Sequence, residues 1–253
     1  MNRQQIYLST IDETAHLLAK EHGLGIEIAE FCTPWFLDTE FHQIDPKIKD
    51  KLMCSDRFVL HAPFSELFPC AIDPKIRAVA AERYRQVIAV AQGYGIPKIV
   101  VHGGYNPKIY FSSWYTEQSV LFWKDFVQEI PDGMVFCLEN VLEEEPDMLA
   151  TILREVNEPK LRMCLDVGHV NAYANSSVFH WLTACADLIV HFHLHNNDTS
   201  YDSHSQLFDG TLPMATLLPT IEEKCPNATI TLELIDAKPS INWLFKEVSL
   251  TWN

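Results

Sequence analysis

Short apolar runs of strand length alternate with longer amphipathic stretches from one end of the chain to the other, eight times over, and no other feature limits the fold as much. Parallel strands need a crossover connection between them, usually a helix, so this alternation is the pattern of repeated βα units. The strand candidates are residues 6–9, 24–30, 57–62, 98–103, 134–140, 161–167, 188–194 and 229–234, most of them rich in Val, Ile, Leu and Phe. Helix candidates lie near 12–22, 45–53, 74–94, 115–129, 147–156, 177–185, 214–224 and 239–248. The third helix is the best marked, because Asp73 can cap it, Pro74 suits its first turn, and Gly93 and Gly95 suit its end. Asp147, Ser177, Pro213 and Pro239 give weaker start signals for others. Eight strand–helix units in 253 residues predict an α/β chain closed as a single (β/α)8 barrel, with an open doubly wound sheet as the runner-up.

Composition agrees with one ordinary globular unit. Apolar residues make up 47% and charged residues 21%, and no linker or low-complexity stretch divides residues 1–253, so one domain is expected. No apolar run approaches the ~18 residues of a membrane span, and the opening MNRQQIYLST has no apolar signal core, so a cytoplasmic protein without a membrane partner is expected. Seven cysteines, an odd number with no CxxC pair, read as reduced structural thiols. Nineteen basic against thirty-four acidic residues leave a net charge of -15, opposite in sign to a phosphate-backbone binder, which argues against a nucleic-acid partner.

In a parallel barrel every βα loop opens on the C-terminal face, where side chains from several strand ends converge. The longer loops are 31–44, 63–73, 104–114 and 196–213. Strand interiors are almost wholly apolar, but the ends carry His61, His102, Glu139, Asp166 with His169 just beyond, His193 and Glu233, while Asp202 and His204 follow in the loop after strand seven. Each residue alone has an ordinary explanation, as a hydrogen-bonded histidine or a helix cap. Six consecutive strands ending this way are a different matter. Five histidines and four carboxylates aimed at one mouth form a ligand set for zinc, manganese or iron, and a cation is the usual compensation for buried carboxylates. A divalent metal site holding one to three ions is expected.

The segments HAPF, VVHGG, CLENV, LDVGH, HLHNND, DSH before FDGTLP, and TLEL resemble, in this order, the motifs of the xylose isomerase-like TIM barrels. That superfamily includes sugar isomerases and epimerases and the endonuclease IV family (AP endonuclease family 2). The resemblance covers residues 57–236 and, more weakly, GIE at strand two. It implies that Glu139, Asp166, His193 and Glu233 hold one divalent ion, zinc or manganese, beside which carboxylates move a proton. It also implies that His61, His102, His169, Asp202 and His204 match the further ligands with which endonuclease IV holds three zinc ions, Glu139 bridging two of them. Asn196 stands where many relatives carry Asp. His195 shares a strand face with His191 and His193 and competes with His193 for the ligand role, His193 being preferred.

The favoured reading is therefore a metal-dependent isomerase or epimerase of a small sugar, sugar phosphate or polyol, with Glu139 and Glu233 as the catalytic acid/base pair. Trp35, Phe36, Phe64, Phe68, Tyr105, Tyr110, Phe111 and Trp114 are candidates for an apolar wall around the substrate, about half of them expected only to pack on the rim. The alternative is an endonuclease IV-like trinuclear zinc phosphodiesterase, which the ligand set supports and the acidic loops, with Lys108 nearly alone after strand four, oppose. A non-catalytic metal- or ligand-binding barrel ranks third. Gly103 and Gly104 are assigned no phosphate site, since glycines in a βα turn equally serve backbone geometry.

Overall fold

Strands that are apolar on both faces must be covered on both faces, and this chain does so by closing its sheet. The computed structural model describes residues 2–247. Strands β1 (Ile6–Ser9), β2 (Gly25–Ile28), β3 (Phe58–His61), β4 (Lys98–His102), β5 (Val135–Glu139), β6 (Leu161–Asp166), β7 (Ile189–Leu194) and β8 (Thr229–Leu232) pair in parallel in chain order. Because β1 also pairs with β8, the sheet is a closed barrel and the open-sheet alternative falls away.

The helices are α1 (Ala15–His22), α2 (Phe41–Leu52), α3 (Pro74–Tyr94), α4 (Ser112–Phe126), α5 (Pro146–Val156), α6 (Val167–Tyr173), α7 (Val178–Cys185), α8 (Met214–Lys224) and α9 (Lys238–Glu247). Helix α3 has the ends its sequence predicts: the Asp73 carboxylate accepts from the Lys75 amide at 2.8 Å, and Gly95 closes it at φ 70, a left-handed conformation that costs glycine little. Gly93 lies inside that helix. Ser177 caps α7, whereas Asp147 sits within α5 after Pro146. Helix α4 begins three residues earlier than expected, so Trp114 is in its first turn and donates its indole N–H to the Cys70 carbonyl at 3.0 Å. The expected end of the last helix, residue 248, lies outside the described residues.

One helix was not foreseen. α6 follows β6 without a loop because Asp166 ends the strand in an extended conformation and its carboxylate accepts from the His169 amide at 2.7 Å, capping the new helix. Residues that would read as loop thus become a rigid turn that carries His169.

Inside the barrel, Tyr7, Val59, Val100, Cys137 and Cys164 form an apolar layer below the C-terminal mouth. The outward-facing strand residues join the larger core beneath the helices. Gly25 is needed here, because a Cβ on it would meet the Tyr7 ring at 2.3 Å. All seven cysteines are free, as their spacing suggests. No described helix is long and apolar enough to cross a membrane.

Candidate metal centre

All nine ligand-type residues named from sequence meet at the C-terminal mouth. Strand register sets His102 beside Glu139 and Asp166 beside His193. Glu139 stands between two groups of imidazoles: its Oε2 is 3.3 Å from His61 Nε2 and 3.2 Å from His102 Nε2, while its Oε1 is 3.2 Å from His193 Nδ1 and 3.4 Å from His169 Nδ1. His193 Nδ1 also lies 3.2 Å from Glu233 Oε2 and 3.8 Å from Asp166 Oδ2. On the far side, Asp202 Oδ2 is 3.2 Å from His169 Nε2 and 3.1 Å from His204 Nε2. The loop bearing Asp202 and His204 is fastened by an antiparallel bridge between Asn196 and Ser205.

Three observations fit these residues to divalent ions. Two donor atoms on one tetrahedral zinc, each at about 2.0–2.2 Å, are about 3.3–3.6 Å apart, close to the spacings seen here. Glu139 Oε2 is buried beside two imidazole nitrogens and makes no hydrogen bond among the described residues, and Asp202 Oδ1 and His195 Nδ1 face each other at 3.4 Å with none either. Such polar atoms are costly to bury unless a cation satisfies them. The imidazoles are also preset: His61, His169 and His204 each place Nδ1 2.8–2.9 Å from a backbone carbonyl, of Ala62, Asn140 and Glu233. A carbonyl only accepts, so Nδ1 carries the proton and the Nε2 lone pair turns to the carboxylates.

The electrostatics follow. Burial opposes the charge on Glu139, but the His193 and His102 imidazoles hold its carboxyl well below the usual range. Glu233 is likewise drawn down to about 2, burial being outweighed by His193. Burial disfavours charge on His193 as well, yet Cys164, Glu27, Glu139 and Glu233 together raise it well above an ordinary histidine.

Several contributors were not legible as such. Glu27, within the weak GIE match, is fully buried and lies 3.0 Å from His193 Nε2, so it takes that proton and leaves Nδ1 for the site. His195 enters the cluster too, with Nε2 3.1 Å from Asp166 Oδ2 and its ring stacked 4.1 Å from that of His204. It needs Gly168, where a Cβ would meet the His195 ring at 1.9 Å. His193 faces Glu139, Asp166 and Glu233 together, as the preferred register requires, while His195 faces Asp166 and Asp202.

A cavity of about 300 Å³ opens above the carboxylates, with Phe64, Val141, Leu142 and Tyr173 as its apolar and aromatic lining. Of the eight loop aromatics expected to wall the mouth, Phe64 alone lines this cavity, its ring stacked on His102 at 4.5 Å. Tyr105 packs on Tyr115, Phe68 faces Tyr110, Trp35 stacks edge-on with Phe36, Phe111 is exposed beside α4, and Trp114 is in that helix. Tyr173, on the unforeseen α6, supplies the aromatic contact instead.

Asn196 has a structural task that Asp could not perform. Its Oδ1 accepts from the Asn197 and Leu212 amides, both at 3.0 Å, and its Nδ2 donates to the Leu207 and Leu212 carbonyls at 2.9 and 3.1 Å. Asn196→Asp removes both donors and buries a charge against two carbonyls, an expected loss of about 3 kcal/mol. For a domain of this size that lowers the melting midpoint by about 6–12 °C. A thermal melt checks it, and a shift under about 2 °C would mean that the amide does not hold this loop.

Residues 12–249 match the profile of the family described as xylose isomerase-like TIM barrel. An uncharacterized protein of Methanocaldococcus jannaschii is 28% identical over 207 residues, 76% of this chain and 71% of that one. A Thermus thermophilus protein, solved after soaking with zinc chloride, superposes with a TM-score of 0.79 at 22% identity, covering 97% of this chain and 98% of its own. A D-tagatose 3-epimerase-like protein superposes with a TM-score of 0.76 at 20% identity, over 94% of each chain. With the closed eight-stranded barrel and a profile match over nearly all its length, the chain belongs to the xylose isomerase-like TIM barrel family.

Proposed function

We propose that the protein is a divalent-metal-dependent isomerase or epimerase of a small sugar, with Glu139, Asp166, His193 and Glu233 holding the ion. One observation carries the reading: His193 Nδ1 lies 3.2 Å from both Glu139 Oε1 and Glu233 Oε2 and 3.8 Å from Asp166 Oδ2, and Glu139 and Glu233 line a cavity of about 300 Å³. A bound ion would supply Lewis-acid polarisation of the sugar's carbonyl and neighbouring hydroxyl oxygens. Glu139 and Glu233 reach the floor from different sides, β5 and the end of β8, so one carboxylate can take a proton from a carbon whose other face the second carboxylate serves. Phe64 and Tyr173 present apolar surface to the sugar and exclude water. The residues lining the cavity include no lysine or arginine, which favours an unphosphorylated sugar over a sugar phosphate. The fold likeness to a D-tagatose 3-epimerase-like protein supports the same substrate class.

The test is hydrogen exchange in D2O. Ketohexoses incubated with protein and manganese, cobalt or zinc are expected to gain deuterium at the carbon beside the carbonyl, read by NMR, and to lose this with Glu139→Gln. No incorporation across free aldoses and ketoses would sink the proposal. A second reading, a trinuclear zinc phosphodiesterase, is favoured by one observation: Asp202 and His204 stand in the same cluster, and each Glu139 oxygen faces its own pair of imidazoles. About three zinc ions per chain with cleavage of abasic-site DNA, and no deuterium exchange, would put it first.

A further inference from the structure

The inner wall of a parallel barrel is normally filled by branched apolar side chains. Here a line of polar side chains runs from the mouth to the opposite end, with Glu27, His191 and Thr231 fully buried. We propose that Lys98, at the N-terminal end of β4 and away from the candidate site, is a positioning residue for His193, acting through a one-way hydrogen-bond chain formed by Thr229, His191 and Glu27. The proposal rests on the reading of His193 as a metal ligand.

The direction of each link follows from what each group can donate. The Lys98 ammonium only donates, and its Nζ lies 2.5 Å from Thr229 Oγ1 and 3.3 Å from the Val190 carbonyl. Thr229 therefore accepts from Lys98, and its single proton goes to His191 Nδ1 at 2.6 Å in preference to the Val190 carbonyl at 3.4 Å. With Nδ1 accepting, His191 carries its proton on Nε2, which faces Glu27 Oε2 at 3.2 Å and Thr231 Oγ1 at 3.0 Å. Thr231 gives its own proton to Glu27 Oε2 at 2.5 Å. The Glu27 carboxylate only accepts, so His193 must donate from Nε2, which lies 3.0 and 3.3 Å from its two oxygens. His193 Nδ1 is then the nitrogen left to face Glu139, Asp166 and Glu233, and its lone pair is free for an ion that displaces its proton.

Reversing His191 would set its Nε2 lone pair against the Glu27 carboxylate at 3.2 Å, a buried acceptor facing an acceptor. The chain crosses the barrel, from β4 through β8 and β7 to β2 and back to β7. A charge at the bottom of the barrel thus selects the tautomer of His191 and keeps a donor on Glu27, the carboxylate that holds His193 Nε2 at the top. A purely structural lysine, tying β4 to the ends of β7 and β8, would need only the Val190 carbonyl and the Thr229 oxygen as acceptors and would not care which nitrogen of His191 holds the proton.

The experiment uses the full chain labelled with 15N-histidine, with zinc alone as the probe. Long-range 1H–15N correlations of ion-free protein should show the Nε2–H tautomer for His191. In Lys98→Met the Thr229 hydroxyl is released to the Val190 carbonyl, and His191 should populate both tautomers. Zinc affinity, read by chelator competition, should fall about tenfold, within the 10–100-fold typical of groups that orient a ligand. Lys98→Arg keeps a donor and should recover the affinity to within about threefold. Thr229→Val breaks the next link with little change of shape, so it should reproduce the Lys98→Met effect, and the double variant should be no worse than either single one. If Lys98→Met does not fold, Thr229→Val alone makes the same comparison. Unchanged tautomer and unchanged zinc affinity in these variants would overturn the proposal. If the natural protein binds no zinc and the tautomers still shift in Lys98→Met, the chain stands and the metal reading of the mouth is what fails.

Discussion

Glu139→Gln is expected to lower sugar turnover by about a thousandfold or more while the barrel stays folded. The carboxylate is 1% exposed, and its two oxygens face four imidazole nitrogens at 3.2–3.4 Å. Gln keeps the shape but replaces one oxygen with an N–H donor, which would point at an imidazole lone pair or at a cation. On the proposed reading two functions go at once: a group that takes or returns a proton, worth about 10²–10⁴-fold alone, and a ligand. Folding should survive, because the change is isosteric and leaves the apolar layer of Tyr7, Val59, Val100, Cys137 and Cys164 untouched. Steady-state rates with each metal, together with a thermal melt, make the measurement. A variant that retains more than a tenth of the natural rate would remove Glu139 from the chemistry. His204→Ala separates the two functional readings, since His204 lies outside the four-residue set, bonding Asp202 and the Glu233 carbonyl and stacking on His195. It should leave deuterium exchange within about tenfold but abolish any phosphodiesterase activity.

The barrel was legible because apolar period and length alone separate eight buried strands from eight amphipathic helices. The same contrast picked out the candidate site: in strands of Val, Ile and Leu, terminal His61, His102, Glu139, Asp166 and His193 stand out as a set, and the structure brings them together at the mouth. Residues that work through others left no such mark. Glu27 reads as one acid in GIE, and its role depends on His193 and His191, about 165 residues away in sequence. Lys98 sits at a strand start, where a charged residue is ordinary. Helix α6 was hidden because its cap, Asp166, already served as a strand end, so Tyr173 could not be placed at the mouth while Trp114 could. Rim aromatics such as Tyr105 and Phe68 found partners in Tyr115 and Tyr110, a choice that depends on loop geometry and not on composition.

Zinc or manganese at about 100 times its dissociation constant should stabilise the fold by about 2.7 kcal/mol, a rise of about 5–10 °C in melting midpoint that excess chelator reverses. Its dependence on pH has a predictable sign. Burial opposes charge on His61, His169 and His193, but the carboxylates around them, with Cys32 beside His61 and Cys164 beside His193, hold all three well above an ordinary histidine in the ion-free chain. His204 is raised to about 9, mainly by Asp202 against the effect of burial. A histidine raised on folding stabilises the ion-free chain fully below its unfolded value near 6.5, and that contribution is lost as pH rises through the folded value. The ion needs these nitrogens unprotonated, so it competes with the protons that stabilise the empty site. Glu139 and Glu233 are held below the usual carboxylate range, remain ionised throughout and add no slope. The metal-induced rise in melting midpoint should therefore be smallest at pH 6 and grow through pH 8, with at least one proton released per ion at pH 7 in calorimetry across buffers of different ionisation enthalpy. An increment that is flat or largest at pH 6 would mean that these histidines do not meet the ion.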